Sequence, residues 1–174
     1  EYGTGAIRQW ERGTAAHSTV TVNGENSSEV WGGFRVARRA YPLDLAIDQN
    51  TACITVRCSH TGYRRLRGKP VHQREWQWTK SSLQVTDTVS GSAEHAVARF
   101  HLHPDIELVE SSPSGWTLAL PGGQSVQVFV EHGDAKLEES HYAPEFGIRI
   151  LRTCLSVELI DQRSQVRFGW ETHH

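Results

Sequence analysis

The sequence predicts an all-β protein, a two-layer antiparallel β-sandwich of about a dozen strands. Three observations predict it. Polar and apolar residues alternate with a period of two along most of the chain, and no convincing stretch repeats every 3.6 residues. Turn-forming residues punctuate the alternating runs at the short, regular intervals of a sandwich, which favours antiparallel meanders over crossovers. A chain of 174 residues with 37% hydrophobic composition can bury one sizeable core but hardly two. Residues 1–170 are therefore expected to form a single domain, and residues 171–174 a short tail.

The elements follow in chain order. TVTV at 19–22 buries alternate valines and stops at Asn23-Gly24, a pair suited to a tight turn. GFRVARRA (33–40) and LDLAI (43–47) come next, the latter ended by DQN, and then CITVRC (53–58). REWQWT (74–79) and LQVTDTV (83–89) carry the β-branched and aromatic side chains that pleated surfaces favour, and Ser90-Gly91 ends the second. AVARFHLH (96–103) stops at Pro104, and IELVE (106–110) runs to the SPSG turn. WTLAL (116–120) ends at PGG and SVQVFVE (125–131) at HGD. IRILR (148–152), CLSVELI (154–160) and QVRFGW (165–170) complete the set. One extended loop is expected, SHTGYRRLRGKPVHQ at 59–73.

A formal charge of −2 gives no reason to expect a nucleic-acid partner, but the charges are unevenly spread. Residues 57–80 hold Arg57, Arg64, Arg65, Arg67, Lys69, Arg74 and Lys80 against Glu75 alone, whereas residues 81–146 hold ten acids against Arg99 and Lys136. Such a split makes a local field. Three cysteines without a CxxC spacing indicate neither a disulfide framework nor a zinc knuckle, and Cys53 and Cys58 fall on opposite faces of one strand. No run reaches the roughly 18 apolar residues of a membrane span, so no membrane partner is expected. A start at EYGTG and the lack of any Met suggest an excised fragment or a processed product, and His173 and His174 a tag remnant.

The basic loop is the segment that folding explains least. Arg64, Arg65, Arg67, Lys69, His72 and Arg74 gather donors suited to carboxylates or sulfates, which makes an acidic polymer the natural partner. Tyr63, Trp76 and Trp78 offer flat faces for sugar rings. Equally, the arginines coat a solvated rim, and the two tryptophans, two residues apart, point together into the core. His17, at the mouth of the 19–22 strand, is a single histidine where a metal site needs three or four ligands. His101 and His103 in RFHLHP share a strand face and form a usable ligand pair, or else merely alternate with inward Phe100 and Leu102. There is no GxSxG, phosphate-cradling or HExxH motif. Asp44, Asp48, Glu107 and Glu110 have the ordinary spacing of solvated strand faces, which gives no case for glycoside hydrolysis.

Read in order, RGTAAHSTVTVNGENSSEVWGGFRVARRA, SHTGYRRLRGKPVHQREW, ARFHLHP, YAPEFG and VRFGW resemble the C-terminal region of heparinase II/III-like proteins, with the block at 17–31 the most specific. The resemblance implies a bacterial polysaccharide lyase with an N-terminal helical toroid and a C-terminal β-sandwich, periplasmic or secreted, acting on uronate-containing chains. In such a β-elimination the enzyme neutralises the uronate carboxylate, a base takes the C5 proton, and an acid protonates the departing oxygen. The catalytic acid and base belong to the toroid, so no residue here is assigned a catalytic role and the fragment alone is expected to be inactive. His60, Tyr63, Arg64, Arg65 and His72 are the expected cleft wall for the acidic polysaccharide. By the same resemblance, His17 is one ligand of a divalent metal, zinc or calcium, whose other ligands lie upstream. Ser18 stands where relatives usually carry Asn, and Thr61 where they often carry Asp, which puts the hydrogen bonds of those side chains in doubt.

Two alternatives stay open. One is a carbohydrate-binding or structural module without chemistry. The other is a free-standing enzyme with His17, His101 and His103 around a metal.

Overall fold

In the computed structural model, which describes residues 3–112 and 115–172, the chain is a two-layer antiparallel β-sandwich. A short helix, α1 (Ala6–Arg12), and a 3₁₀ turn (Thr14–Ala16) lead into β1 (Val20–Val22), and β2 (Glu29–Trp31) pairs with β3 (Arg35–Ala37) as a separate hairpin. A meander of β4 (Pro42–Gln49), β5 (Ile54–His60), β6 (Val71–Trp78) and β7 (Ser82–Ser90) builds half of the eight-stranded sheet. The chain crosses to the four-stranded sheet at β8 (Ala96–His101) and returns for β9 (Glu107–Ser112), β10 (Gly115–Ala119) and β11 (Ser125–His132). It crosses again for β12 (Asp134–Tyr142) and β13 (Ile150–Glu158) and finishes with β14 (Arg163–Gly169). The sheets order as β1-β8-β13-β12 and β4-β5-β6-β7-β14-β11-β10-β9.

The core is the seam between these layers. Val20 and Val22 from β1, Ala98 and Phe100 from β8, and Leu155 and Val157 from β13 meet Val85 and Val89 from β7, Val128 from β11 and Val166 from β14. Each fully buried valine contributes about 1.5–3 kcal/mol relative to exposure. Gly133 makes the second crossing feasible: it lies at φ 115°, and a Cβ there would come within 2.5 Å of the Val157 side chain. HGD is thus a sheet-switching corner, where the sequence suggested a meander turn.

The strand pattern departs from expectation at identifiable places. The IRILR and CLSVELI runs merge into one strand, β13, because Thr153 continues the ladder to Glu139 without a break. β12 was not anticipated: DAKLEESHY sits at the edge of the small sheet, where four of its nine residues can be charged Asp, Lys or Glu without burial. The GFRVARRA run yields only β3, since Arg38 adopts φ 41° and turns the chain. The 59–73 loop shrinks to 61–70 as β5 and β6 extend over both histidines. Trp76 packs against the core while Trp78 is 58% exposed, its ring set edge-on to Trp170, so the expectation that both point into the core fails. Residues 113 and 114 of the SPSG turn, and His173 and His174 of the tail, lie outside the described residues. All three cysteines are free. Among the described residues no helix is long and apolar enough to cross a membrane.

Candidate functional site: the histidine chain and the basic loop

β5, β6 and β7 lie side by side, and their register brings His60 opposite His72 and Arg74 opposite Asp87. Because side chains alternate across a strand, His60, His72, Arg74 and Asp87 all face the small sheet. Asp87 is fully buried, and Arg74 grips it with two bonds, Nε to Oδ1 at 2.7 Å and Nη2 to Oδ2 at 2.9 Å. The remaining Arg74 nitrogen, Nη1, donates to the Ser18 carbonyl at 2.7 Å, and the guanidinium stacks over Phe100 of β8, so one side chain ties the two layers together.

The histidines extend this pair outward, and the donors fix their tautomers. The Gly62 N–H donates to His60 Nδ1 at 3.2 Å, so that nitrogen carries no proton. His60 Nε2–H therefore donates to His72 Nδ1 at 3.1 Å, and His72 Nε2–H to Asp87 Oδ1 at 2.6 Å. The chain is consistent only with both rings neutral. Burial, reinforced by the neighbouring His72, lowers the pKa of His60 to about 4. For Asp87, burial works against ionisation, but the bonds from His72 and Arg74 outweigh it and hold the carboxyl below its ordinary range.

The basic loop is pinned over this chain. A Cβ on Gly62 would lie 2.5 Å from the Ser27 carbonyl and 3.0 Å from Ala40, so glycine alone permits the close approach. Tyr63 is 0% exposed, and its hydroxyl donates to the Val20 carbonyl at 2.5 Å. Arg65 donates to the Gly62 carbonyl and, at 2.6 Å, to the Asn26 carbonyl. Tyr63→Phe is expected to cost about 1 kcal/mol by leaving a buried carbonyl short of a donor, read as a lower midpoint in urea denaturation.

Of the five residues expected to line a cleft, the structure brings together His60, His72, Tyr63 and Arg65, but as a brace. Tyr63 presents no face to a sugar, and every ring nitrogen of the two histidines is occupied within the protein. Only Arg64 projects outward, beside Arg67 and Lys69. The basic field of residues 57–80 correspondingly narrows: Arg57 lies 3.9 Å from Glu75, and Arg74 is spent on Asp87. Asp87 was not singled out from the sequence, and Arg74 was read only as one of the basic loop's outward donors, although a signal for both existed. Asp87 shares the parity of Val85 and Val89, and Arg74 that of His72 and Trp76, so both are charges at inward positions. A cleft of about 350 Å³, bordered by Ser18, Pro42, Cys58, His60, His72 and Trp76, opens beside the chain.

His17 is exposed, on extended backbone between the 3₁₀ turn and β1. Among the described residues no group of three or more His, Cys, Asp or Glu is placed to hold a metal ion. His101 uses Nε2 on the Ala15 carbonyl at 3.0 Å and Nδ1 on Ser140 at 3.2 Å, and His103 stacks on Tyr142. The site of a free-standing metalloenzyme is thus not formed by His17, His101 and His103. The described residues supply one candidate ligand, His17, and do not themselves fit a metal centre.

The fold and the braced basic loop define a two-layer β-sandwich module. The chain belongs to the heparinase II/III-like, C-terminal family, whose profile matches residues 1–171. In fold it is similar to the heparan sulfate lyase HepC from Pedobacter heparinus, with 17% identity and a TM-score of 0.74 over 97% of this chain and 26% of that one. It is also similar to heparinase III, the BT4657 gene product, with 18% identity and a TM-score of 0.72 over 97% of this chain and 26% of that one. The chain thus spans about a quarter of these proteins. No curated protein matches it.

Proposed function

We propose that this domain is the C-terminal β-sandwich of a polysaccharide lyase that cleaves an acidic, uronate-containing polymer by β-elimination, working with an N-terminal helical toroid that carries the acid and base. What carries this reading is the family membership over residues 1–171. The structural neighbour named as a heparan sulfate lyase points to the same substrate chemistry. In this reading Arg64 is the cleft-wall residue that meets the polymer, and Tyr63, Arg65, His60 and His72 hold the loop that presents it. His17, if it ligates a metal, does so with groups from outside the described residues. In this reading the protein works in the periplasm or outside the cell.

The test is incubation of the intact protein with uronate polymers while absorbance of the unsaturated product is followed. Appearance of that product supports the reading, and its absence across carboxylated and sulfated polymers overturns it in favour of a binding or structural module. Arg64→Ala is expected to weaken polyanion affinity several-fold at low ionic strength. The loss should shrink as salt rises, because exposed charges are screened beyond roughly 8 Å at physiological ionic strength. An affinity unchanged across a salt series would remove Arg64 from the wall. Arg65→Ala is a poor substitute, since it also frees the carbonyls of Gly62 and Asn26.

A further inference from the structure

Ala16 and His17 border a second cleft, of about 670 Å³, between α1 and the β12–β13 hairpin, on the far side of Ser18 from the histidine chain. Its chemistry is concentrated in Trp10, Tyr142, Arg149 and Arg152. Arg149 lies over the Trp10 ring, 5.6 Å from its centroid, and donates to His141 Nδ1 at 2.9 Å. Arg152 lies 5.9 Å from the Tyr142 centroid. Its Nη2 reaches the Ala16 carbonyl at a long 3.3 Å, and its buried Nε has no partner. Neither guanidinium is paired with a carboxylate among the described residues, although Glu11 and Glu145 also border the cleft. The positive charge is felt nearby: burial, and after it Arg152, push the pKa of His101 down to about 4.

Two guanidinium groups without acid partners, each set against an aromatic ring, make a plane-plus-charge surface. Arginine accepts a carboxylate or sulfate through two parallel bonds, while the ring offers an apolar face to the sugar carbons. We propose that this cleft binds an acidic sugar residue, with its carboxylate or sulfate on Arg149 and Arg152 and its ring against Trp10. An incoming oxygen loses little by displacing the long Ala16 contact and gives Arg152 the partner it lacks. The proposal rests on the acidic-polysaccharide reading and extends it: the polymer crosses the Ala16–Thr19 ridge and is held on both sides, by Arg64 on one and by this pair on the other.

Calorimetric titration of the 174-residue chain with a size-defined heparan sulfate oligosaccharide, a non-sulfated uronate oligosaccharide and a neutral chito-oligosaccharide tests it. Both acidic probes are expected to bind and the neutral one to bind far more weakly. Arg149→Gln and Arg152→Gln should each weaken acidic-probe binding about tenfold at low salt, the effect of losing a charge-assisted contact. Arg149 is the decisive position because it is exposed and its replacement is expected to change the melting temperature little, whereas Arg152 also packs. Unchanged affinity in Arg149→Gln, or equal binding of the neutral probe, overturns the site even when Arg64→Ala weakens binding. Lack of acidic-probe binding by the unmodified chain overturns it too, while the unsaturated-product assay on the intact protein judges the lyase reading separately.

Discussion

Replacing Asp87 by alanine is expected to destabilise the domain by about 3–5 kcal/mol, the usual cost of breaking a buried ion pair by removing one partner. The geometry explains the size. Asp87 accepts three bonds, two from Arg74 and one from His72, at a site with no solvent access. Without it the Arg74 guanidinium stays buried at 7% exposure, held between Phe100 and the Ser18 carbonyl, with its charge uncompensated. His72 loses its acceptor, and the proton order that ends at Gly62 has nothing to anchor it. Against a total stability of about 5–15 kcal/mol, such a loss leaves a domain close to unfolding. Asp87→Asn, which keeps the shape and one acceptor, should fall between alanine and the natural residue. Urea denaturation with an unchanged slope reads the difference, and a shift worth less than about 1 kcal/mol would show that the network contributes little.

How much of this was legible in the sequence follows from what fixes each feature. The sandwich was legible because its strands bury one face, which writes a period of two into Val85, Asp87 and Val89 as into Val20 and Val22. β12 was not, because an edge strand facing solvent carries no apolar stripe to distinguish DAKLEESHY from a loop. α1 was not, because seven residues are too few to show a helical period. At the site, composition marked the basic segment but not the direction its side chains take. Arginines and a tyrosine clustered between glycines look alike whether they reach outward to a ligand or inward to carbonyls. The deciding facts were contacts remote in sequence: Tyr63 to Val20, Arg65 to Asn26 and Arg74 to Ser18.

Those three contacts also connect fold to function. All of them tie the 61–74 region to the segment 18–26, so the loop that presents Arg64 and the ridge that carries His17 are held as one unit. The surface that presents Arg64 owes its shape to buried carbonyls and an ion pair rather than to the exposed charges. Changes beneath the surface should therefore disturb binding and stability together, and changes to Arg64 should disturb binding alone.

Acid should expose the same dependence without any substitution. The pKa of His60 lies near 4 in the folded chain against an ordinary 6.5. As pH falls below 6.5 the unfolded chain takes up the proton first, so the stabilisation is complete above that value and is lost progressively down to about pH 4. His101 shifts the same way, with its ring half in solvent. Allowing for water at the exposed ring edges, the loss over this window is about 2 kcal/mol from His60 and about 1 kcal/mol from His101. Asp87 acts in the same direction at lower pH: its carboxyl is held below the ordinary value, so its contribution is present above that value and disappears as pH falls through the folded one. Protonating His60 at Nδ1 opposes the Gly62 N–H directly, so the loop is expected to release as the ring charges. Ring resonances followed by NMR should show His60 uncharged down to about pH 4, with the urea midpoint falling steadily between pH 6.5 and 4. A His60 ring that titrates at its ordinary value, with a midpoint flat across that window, would mean that the relay from Gly62 to Asp87 does not exist in solution.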